Sequence, residues 1–389
     1  MIMNPTERIM AVLDGKPVDR LQTFYPGFDT WPTQQILGKP LISAETIFKN
    51  PLTRKILDKW GPKLTDLVID PTINADFMKA IEAAIAVGFD LVWVGPTEGQ
   101  VMVWNSSTLL RYSGSFYELT VDGHGNMYYM YREPGINSSE EFYAWPHFAN
   151  PDEAAQKSYR FFAKAMKKHG DKICVMPQVQ GLHETMVLSL GFLNMAVFVR
   201  KEPQLLKKFI AYLEDYALKL CMAMMDAGVK VILLGDDFSN KTGPFMNPKI
   251  NDELFCDSYK KITKAVHDRG GRIILHSCGD NTKMFDYFIK WGFDGGHAYE
   301  NTSNVDIYNE KELHGDQFTI VGGVGIDYLL TERSKPEEVE EGVKKLIRKL
   351  APGGRFIIGP VHTHPDMDMS KVKIMMDTVR KHGTYPIQQ

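Results

Sequence analysis

His276 and Cys278, two positions apart, are the side chains in this chain best suited to chemistry. They stand at the end of the apolar run Arg272–His276, which is typical of a β-strand, and residues two apart on a strand point to the same face. A neutral imidazole and a thiolate in this arrangement can bind one Zn²⁺ together if one or two more ligands converge. The pair therefore predicts a metal site, although buried cysteines and hydrogen-bonded histidines are often purely structural.

The residues after the pair favour the functional interpretation. Gly279, Asp280 and Asn281 are turn-forming residues, so the strand should open into a loop directly after Cys278. Loops at strand ends often carry catalytic groups. We therefore expect His276 and Cys278 to be metal ligands at the rim of a sheet.

Eight short runs rich in Val, Ile, Leu and Phe predict the elements that position this pair. The runs are continuous rather than alternating, as expected for strands buried on both faces of a parallel sheet. Helical periodicity between most of them predicts an α/β fold, a single (β/α)8 TIM barrel. The predicted strands are Leu21–Tyr25, Asp90–Gly95, Ile173–Gln178, Val229–Gly235, Arg272–His276, Asp294–Ala298, Phe318–Gly323 and Arg355–Gly359.

Two further segments accompany the barrel. Residues 1–60 are predicted to form a helical N-terminal extension, and 100–132 an inserted β-hairpin around the turn Asp122–Asn126. We expect one domain over residues 1–389. The predicted helices are Ala75–Ala86, Asp152–Lys168, Glu202–Ala227, Asn251–Asp268, Lys335–Leu350 and Ser370–Lys381.

Polar residues collect after the last five predicted strands, at the C-terminal mouth where such barrels hold their active sites. From Asp236, Asp237 and Glu300 we predict catalytic carboxylates, although aspartates also cap helices and form turns. His297 and Asp327 are equally compatible with structural roles. The full set is Asp236, Asp237, His276, Cys278, His297, Glu300, Asp327, His362 and His364.

A third metal ligand is expected after the eighth strand. His362 and His364 repeat the spacing of two, and we favour His362 because it lies nearer the strand end. Aromatic residues near the predicted mouth could form a substrate pocket, although aromatics at strand ends more often serve packing. The predicted substrate-binding residues are Tyr25, Trp93, Phe238 and Tyr299.

Composition restricts the class of protein. The chain has 389 residues, 44% hydrophobic content and a formal net charge of −3, so we expect no nucleic-acid or membrane partner. No basic-then-apolar signal pattern starts the chain, and no apolar stretch is long enough to span a bilayer. Four cysteines without CxxC spacing fit a reducing, cytoplasmic location. No P-loop or dinucleotide fingerprint is present, so we expect no NAD, FAD or ATP.

The sequence resembles the uroporphyrinogen decarboxylase superfamily and, within it, the zinc-dependent methyltransferases that act with a corrinoid protein. The His-x-Cys-Gly pattern is the most specific of the similar motifs. The resemblance extends over nearly the whole chain, through Glu7–Arg20, Gly235–Pro244, His276–Asp280, Gly322–Asp327 and Pro360–His362. It implies a (β/α)8 barrel with its cleft at the C-terminal mouth, in agreement with the strand pattern.

The resemblance implies a corrinoid-dependent methyltransferase that uses Zn²⁺ and a cobalamin carried by a separate corrinoid protein. Members that methylate thiols have a further cysteine after the eighth strand, where this sequence has His362. Imidazole in place of thiolate leaves the metal more electrophilic, which suits activation of a leaving oxygen. We therefore expect a methyl ether or a methanol-like compound as the donor.

Three alternatives remain open. The same site could run in the other direction, from methylcobalamin to a thiol acceptor. A metal-free uroporphyrinogen decarboxylase is a second, but its Arg-rich N-terminal segment corresponds here to Leu21–Trp31, which contains no arginine to pair with a polycarboxylate. A zinc-binding barrel without catalysis is the third.

Overall fold

The structure is a computed structural model that describes most of the chain. Glu300 and the predicted turn Asp122–Asn126 lie outside the described residues, as does the side chain of Asp327. The described ranges are 3–27, 30–39, 51–52, 55–56, 59–60, 70–95, 103–105, 108–110, 114–121, 127–146, 148–299, 303–364 and 366–388.

Eight parallel strands close into a barrel within these ranges, which confirms the predicted TIM-barrel fold. Each strand begins and ends within two residues of a predicted run. The barrel strands are β1 (Gln22–Tyr25), β2 (Leu91–Val94), β7 (Cys174–Gln180), β8 (Val231–Gly235), β11 (Arg272–His276), β12 (Gly295–Tyr299), β13 (Thr319–Val324) and β14 (Phe356–Pro360). They pair in parallel in this order, and β14 closes the ring on β1.

Helices cover the outside of the barrel. Capping defines their starts: the side chain of Asn150 accepts the N–H groups of Asp152 and Glu153, and Pro151 occupies the first helical position. The helices are Pro5–Leu13, Thr30–Leu37, Asp70–Val87, Ser139–Ala144, Pro151–His169, Leu182–Leu190, Phe192–Lys201, Pro203–Asp226, Pro248–Asp268, Phe285–Lys290, Ile307–His314, Ile326–Leu329, Pro336–Leu350 and Met369–His382.

The helix Pro5–Leu13 covers the end of the barrel where the strands begin. Its apolar side chains pack against the side chains that fill the barrel interior, and Thr6 lies beside the thiol of Cys174 at the start of β7. The C-terminal ends of the strands therefore form the mouth that can admit a ligand. The apolar interior contains Phe24, Leu91, Cys174, Met176, Val231, Leu233, Ile274, Val321 and Ile357.

An antiparallel sheet follows β2 where the sequence predicted a hairpin. It has four strands in its described part, β3 (Val103–Asn105), β4 (Thr108–Leu110), β5 (Ser115–Val121) and β6 (Met127–Pro134). The strands β5 and β6 flank the predicted turn and pair as a hairpin. The described insertion therefore has nearly the predicted extent but contains two additional short strands before the hairpin.

Two short strands form a small antiparallel ladder after β8, at the mouth. These are β9 (Ser239–Asn240) and β10 (Gly243–Pro244). In the described part of the chain, no single helix is long and apolar enough to cross a membrane; Leu182–Leu190 and Phe192–Lys201 reach that length only together, across a 102° bend.

Candidate metal centre at the barrel mouth

Four potential metal ligands converge where β8, β11 and β14 end. The Sγ atom of Cys278 lies 3.4 Å from Nε2 of His276 and 3.7 Å from Nε2 of His362. Oδ1 of Asp237 lies 3.9 Å from Nε2 of His276. The ligand atoms of Asp237, His276 and Cys278 all lie within 4.8 Å of one another. The structure thus brings together the three predicted metal ligands and one of the predicted carboxylates.

These separations fit the geometry of a zinc ion. An ion at tetrahedral distances of about 2.05 Å from nitrogen and 2.3 Å from sulfur holds the two atoms roughly 3.6 Å apart. The observed separations of 3.4 and 3.7 Å lie on either side of that value. Nitrogen and sulfur donors also favour zinc over magnesium or calcium, which prefer oxygen. The residues present therefore fit the group that the sequence predicted.

Burial keeps the central histidine in the form that binds metal. The side chain of His276 is 12% exposed, and its burial lowers the pKa to about 4, with the neighbouring His362 acting in the same direction. Asp237 opposes this shift. A neutral imidazole retains a lone pair at neutral pH, so His276 can bind a metal without first losing a proton.

The two adjacent aspartates have different environments. Oδ1 of Asp237 accepts the backbone N–H of Cys278 at 2.7 Å, and its side chain is 30% exposed beside the ligands. Asp236 is completely buried away from the cluster, and its carboxylate accepts the N–H groups of His183 and Glu184 and the hydroxyl of Tyr259.

Asp236 thus supplies a cap that the helix Leu182–Leu190 lacks, because its own N-cap residue is Gly181. Burial raises the pKa of Asp236 to about 7, against the effect of these hydrogen bonds. The structure does not bring this predicted catalytic residue to the ligand cluster. Asp236 differs from the prediction because it directly follows β8 at a buried position. From there its carboxylate can reach the start of a neighbouring helix.

A buried asparagine that the sequence analysis treated only as a turn former holds the Cys278 loop. Nδ2 of Asn281 donates to the carbonyls of Ser277, Cys278 and Gly279 at 2.9, 3.0 and 3.2 Å. Its Oδ1 accepts the hydroxyls of Ser277 and Ser239. Asn281 therefore fixes the loop that presents the cysteine. Its place four residues after Ser277, in a loop rich in small polar residues, was the signal that could have found it.

His297 lies next to His276 on the neighbouring strand. The two residues are register partners of β12 and β11, and their Nδ1 atoms are 2.7 Å apart. His297 is completely buried, and that burial lowers its pKa well below the usual value, with the nearby imidazoles acting in the same direction. From the sequence, His297 was equally compatible with a functional and a structural role.

Trp93 is the predicted substrate-binding aromatic that the structure places inside the barrel. Its ring centroid lies 5.3 Å from that of His276 and 6.0 Å from that of His297. It is partly exposed and packs against the apolar interior of the barrel next to the candidate ligands.

The rings of the other three predicted aromatics are not open to a ligand at the mouth. Tyr25, Phe238 and Tyr299 are completely buried between the barrel and its helices. In β1 the strand alternation places Phe24 inside and Tyr25 outside. His297 points into the barrel, and simple alternation predicts the same for Tyr299, two residues later. A bulge between Gly296 and Tyr299 shifts the register of β12, so Tyr299 points outward instead.

Comparison with known proteins adds a family and a fold. The model of the family described as uroporphyrinogen decarboxylase (URO-D) matches residues 163–382. No curated protein matches the chain in sequence. All four ligands of the cluster lie within the matched segment.

Comparison with solved structures found one with the same fold and others that are less similar. A methyltransferase from Methanosarcina mazei superimposes with a TM-score of 0.66 at 15% identity, over 97% of this chain and 99% of that chain. A D-psicose 3-epimerase from Clostridium cellulolyticum covers 79% of this chain and 91% of its own, with a TM-score of 0.39 at 10% identity. A sugar phosphate isomerase/epimerase from Parabacteroides distasonis covers 95% and 99%, with a TM-score of 0.38 at 9% identity. At 15% identity, the likeness to the first structure shows the fold alone.

Proposed function

The chain belongs to the uroporphyrinogen decarboxylase family, and on that premise we propose that it is a zinc-dependent methyltransferase that moves a methyl group between a small donor and the cobalt of a corrinoid protein. The observation that carries the proposal is the position of Cys278, whose Sγ lies 3.4 Å from Nε2 of His276 and 3.7 Å from Nε2 of His362, as sulfur and nitrogen ligands of one zinc ion would. A methyl ether or methanol-like compound is the proposed donor.

In this proposal His276, Cys278 and His362 hold the zinc ion. When bound there, zinc supplies Lewis acidity that stabilises negative charge on the heteroatom from which the methyl group leaves. Two imidazoles and one thiolate leave more positive charge on the metal than two thiolates would, which suits an oxygen leaving group.

Asp237 is the proposed catalytic carboxylate. Its side chain is partly exposed beside the ligands, and its Oδ1 already accepts the Cys278 N–H. We assign to its carboxylate a hydrogen bond accepted from the hydroxyl of a methanol-like donor, which would orient that donor beside the same cluster; an ether oxygen carries no such proton. Glu300 is another predicted catalytic carboxylate. It lies outside the described residues, and its catalytic role stays a proposal.

Trp93 is the proposed substrate-binding residue. Its ring faces His276 from β2 and presents an apolar surface toward the space beneath the ligands. Such a surface can pack against a methyl or methoxyaromatic group and exclude water from the reacting carbon.

Metal content of the purified protein tests the proposal. We expect about one zinc per chain in the wild type and loss of most of it in His276→Ala and in Cys278→Ala, because each variant removes a ligand. His364→Ala is the matched control: it changes a histidine of the same loop whose ring accepts the N–H of Asp366, and it should keep the metal.

A zinc-loaded wild type would then be assayed for methyl transfer from methyl ethers and methanol to a reduced corrinoid. A wild type that neither contains zinc nor takes it up would contradict the proposal. It would favour the metal-free decarboxylase, the activity after which the family is named.

A further inference from the structure

His297 is a buried polar residue that the proposed mechanism does not use. Its ring lies in the barrel interior, with centroid distances of 4.8 Å to Phe24, 6.0 Å to Trp93 and 4.9 Å to His276. It is completely buried. An apolar side chain would fill this place at lower desolvation cost, so the imidazole calls for an explanation beyond packing.

The short contact between the two Nδ1 atoms requires a defined arrangement of protons. At 2.7 Å, one Nδ1 must carry a hydrogen and the other must present a lone pair. A histidine that binds a metal through one ring nitrogen is a neutral imidazole with its proton on the other, and the buried His297 needs no second proton to accept that hydrogen. Each ring therefore carries one proton, and the position of the proton on one ring determines its position on the other.

A metal on the far side of His276 selects one of the two arrangements. Nε2 of His276 is the atom that faces Cys278, so this nitrogen must offer its lone pair to the metal. The His276 proton then resides on Nδ1 and is donated to Nδ1 of His297. The proton of His297 must then be on Nε2, near the backbone of Pro360, although no acceptor within the described residues meets hydrogen-bond geometry with this atom.

We propose that His297 is a positioning residue of the metal centre: its Nδ1 accepts the Nδ1–H of His276 and so fixes the tautomer and ring orientation with which His276 binds zinc. This inference rests on the proposed function. Histidine ligands commonly donate their second N–H to a carboxylate, a carbonyl or water; here a second histidine from the adjacent strand takes that place.

The test compares two substitutions of His297 by their zinc affinity. His297→Phe removes the acceptor but keeps a ring in the space, whereas the amide of His297→Asn can place an oxygen near the former Nδ1. Zinc affinity is measured by competition with a chromophoric chelator. We expect an affinity loss of about 10–100-fold in His297→Phe and a loss of less than tenfold in His297→Asn.

Phe24→Leu is the control for altered packing, because Phe24 meets the His297 ring edge-on and has no hydrogen bond to offer. It should lower zinc affinity less than tenfold. The absorption spectrum of the cobalt(II)-substituted proteins gives a second readout: it should change in His297→Phe and stay close to the wild type in Phe24→Leu.

The outcomes separate this inference from the proposed function. Unchanged zinc affinity and cobalt spectrum in His297→Phe would overturn the inference and leave the zinc site intact, whereas a wild type without any zinc affinity would overturn both. If His297→Phe does not fold, nitrogen NMR of histidine-labelled, zinc-loaded wild type decides. The expected protons are on Nδ1 of His276 and Nε2 of His297; a proton on Nδ1 of His297 would overturn the inference.

Discussion

Asp236 and Asp237 show how neighbouring residues of the same type divide between structure and chemistry. Both follow β8, but Asp236 is completely buried and binds the start of a helix, whereas Asp237 is partly exposed next to the donor atoms. Three hydrogen-bond donors converge on the Asp236 carboxylate, from His183, Glu184 and Tyr259. The carboxylate of Asp236 therefore stabilises the fold, and that of Asp237 is available to a substrate.

Asparagine substitutions should separate these roles. In Asp236→Asn an amide NH₂ must face backbone N–H groups, so we expect the free energy of unfolding to fall by about 1–3 kcal/mol, with zinc affinity nearly unchanged. In Asp237→Asn the amide oxygen can still accept the Cys278 N–H, so stability should change by less than about 0.5 kcal/mol. The methyl-transfer rate of the Asp237→Asn variant should fall by about a hundredfold. Urea denaturation and activity assays of both variants would check this, and equal stability of the two would contradict it.

The buried His183 should make stability dependent on pH. Its Nδ1–H donates to the carbonyl of Asp237 at 2.7 Å, and burial lowers its pKa from 6.5 to about 4. The unfolded chain takes up a proton at this residue below pH 6.5, while the folded chain does not. The contribution of the neutral His183 to the free energy of unfolding is therefore complete above pH 6.5. It is lost as pH falls toward 4, by up to about 3 kcal/mol.

His183→Asn keeps a donor near the same carbonyl but cannot titrate, so the comparison isolates this effect. Relative to its own stability at pH 7.5, the variant should lose less between pH 6.5 and 4.5 than the wild type does. Asp236 has a pKa raised to about 7, so its contribution to stability increases as pH falls, opposite to that of His183. Both proteins contain Asp236, so this contribution cancels in the comparison. Parallel stability curves for the two proteins would rule out the assignment.

At the residue scale, the sequence predicted the donors better than their neighbours. The convergence of His276, Cys278 and His362 could be predicted because strand spacing and the barrel order direct all three to one mouth, whereas their role as metal ligands stays a prediction. The opposite fates of Asp236 and Asp237 depend on which neighbouring helix start lies within reach, and the place of Tyr299 depends on a bulge. Such tertiary contacts leave no periodic signal in a single sequence.

Among the elements, the loop after β11 shows why backbone conformation matters at the metal centre. Gly279 has a φ of +84°, and a Cβ at this position would lie 2.6 Å from the Ser239 carbonyl oxygen and 2.7 Å from that of Asn240. These oxygens belong to β9 and cannot move aside as a flexible side chain would. The loop that presents Cys278 therefore packs against β9 only because residue 279 is glycine.

Gly279→Ala and Gly270→Ala form a matched pair that tests this contact. Gly270 has a φ of +72°, and a Cβ at that position would meet nothing within 4 Å, so alanine there should cost only backbone strain, about 1 kcal/mol. At Gly279 the clash with β9 should add about 1–3 kcal/mol and displace Cys278, which lowers zinc affinity as well. Measurements of unfolding and zinc binding on both variants check this; similar losses in both would show that the contact is unimportant.

At the element scale, the barrel strands were predictable because each is a short apolar run buried on both faces. The short helices Leu182–Leu190 and Phe192–Lys201 were not predicted. Leu182–Leu190 is buried on nearly all sides, so its sequence lacks the separation into an apolar face and a polar face that predicts an amphipathic helix. The number of strands in the insertion was underestimated because strands as short as β3 and β4 contain too few residues to show alternation.

On the scale of the whole molecule, the candidate chemistry is concentrated in one part of the chain. The segment 163–382 matches the family and contains Asp237, His276, Cys278 and His362. The preceding part supplies β1, β2 and the inserted sheet, and from it Trp93 approaches the ligands. On the proposed function, the family segment would supply the metal ligands and the earlier segment would supply Trp93 to contact the substrate.

The ligands also connect strands that are not neighbours in the barrel. His276 and Cys278 follow β11, whereas His362 follows β14, and β12 and β13 separate these two strands in the ring. A metal bound by all three residues would join them across the mouth. If zinc binds the folded barrel as proposed, it finds no such preformed site in the unfolded chain, so binding should stabilise the whole fold.

We therefore expect zinc to raise the midpoint of thermal unfolding in proportion to the logarithm of its concentration. At a hundred times Kd the stabilisation should be about 2.7 kcal/mol, and a chelator should remove it. Magnesium is the control cation, because it prefers oxygen ligands and should have little effect. Calorimetry of metal-free wild type and Cys278→Ala at increasing zinc concentrations measures the difference. The same zinc-dependent rise in both proteins would mean that the metal binds elsewhere, since the variant lacks the sulfur that lies between the two histidines.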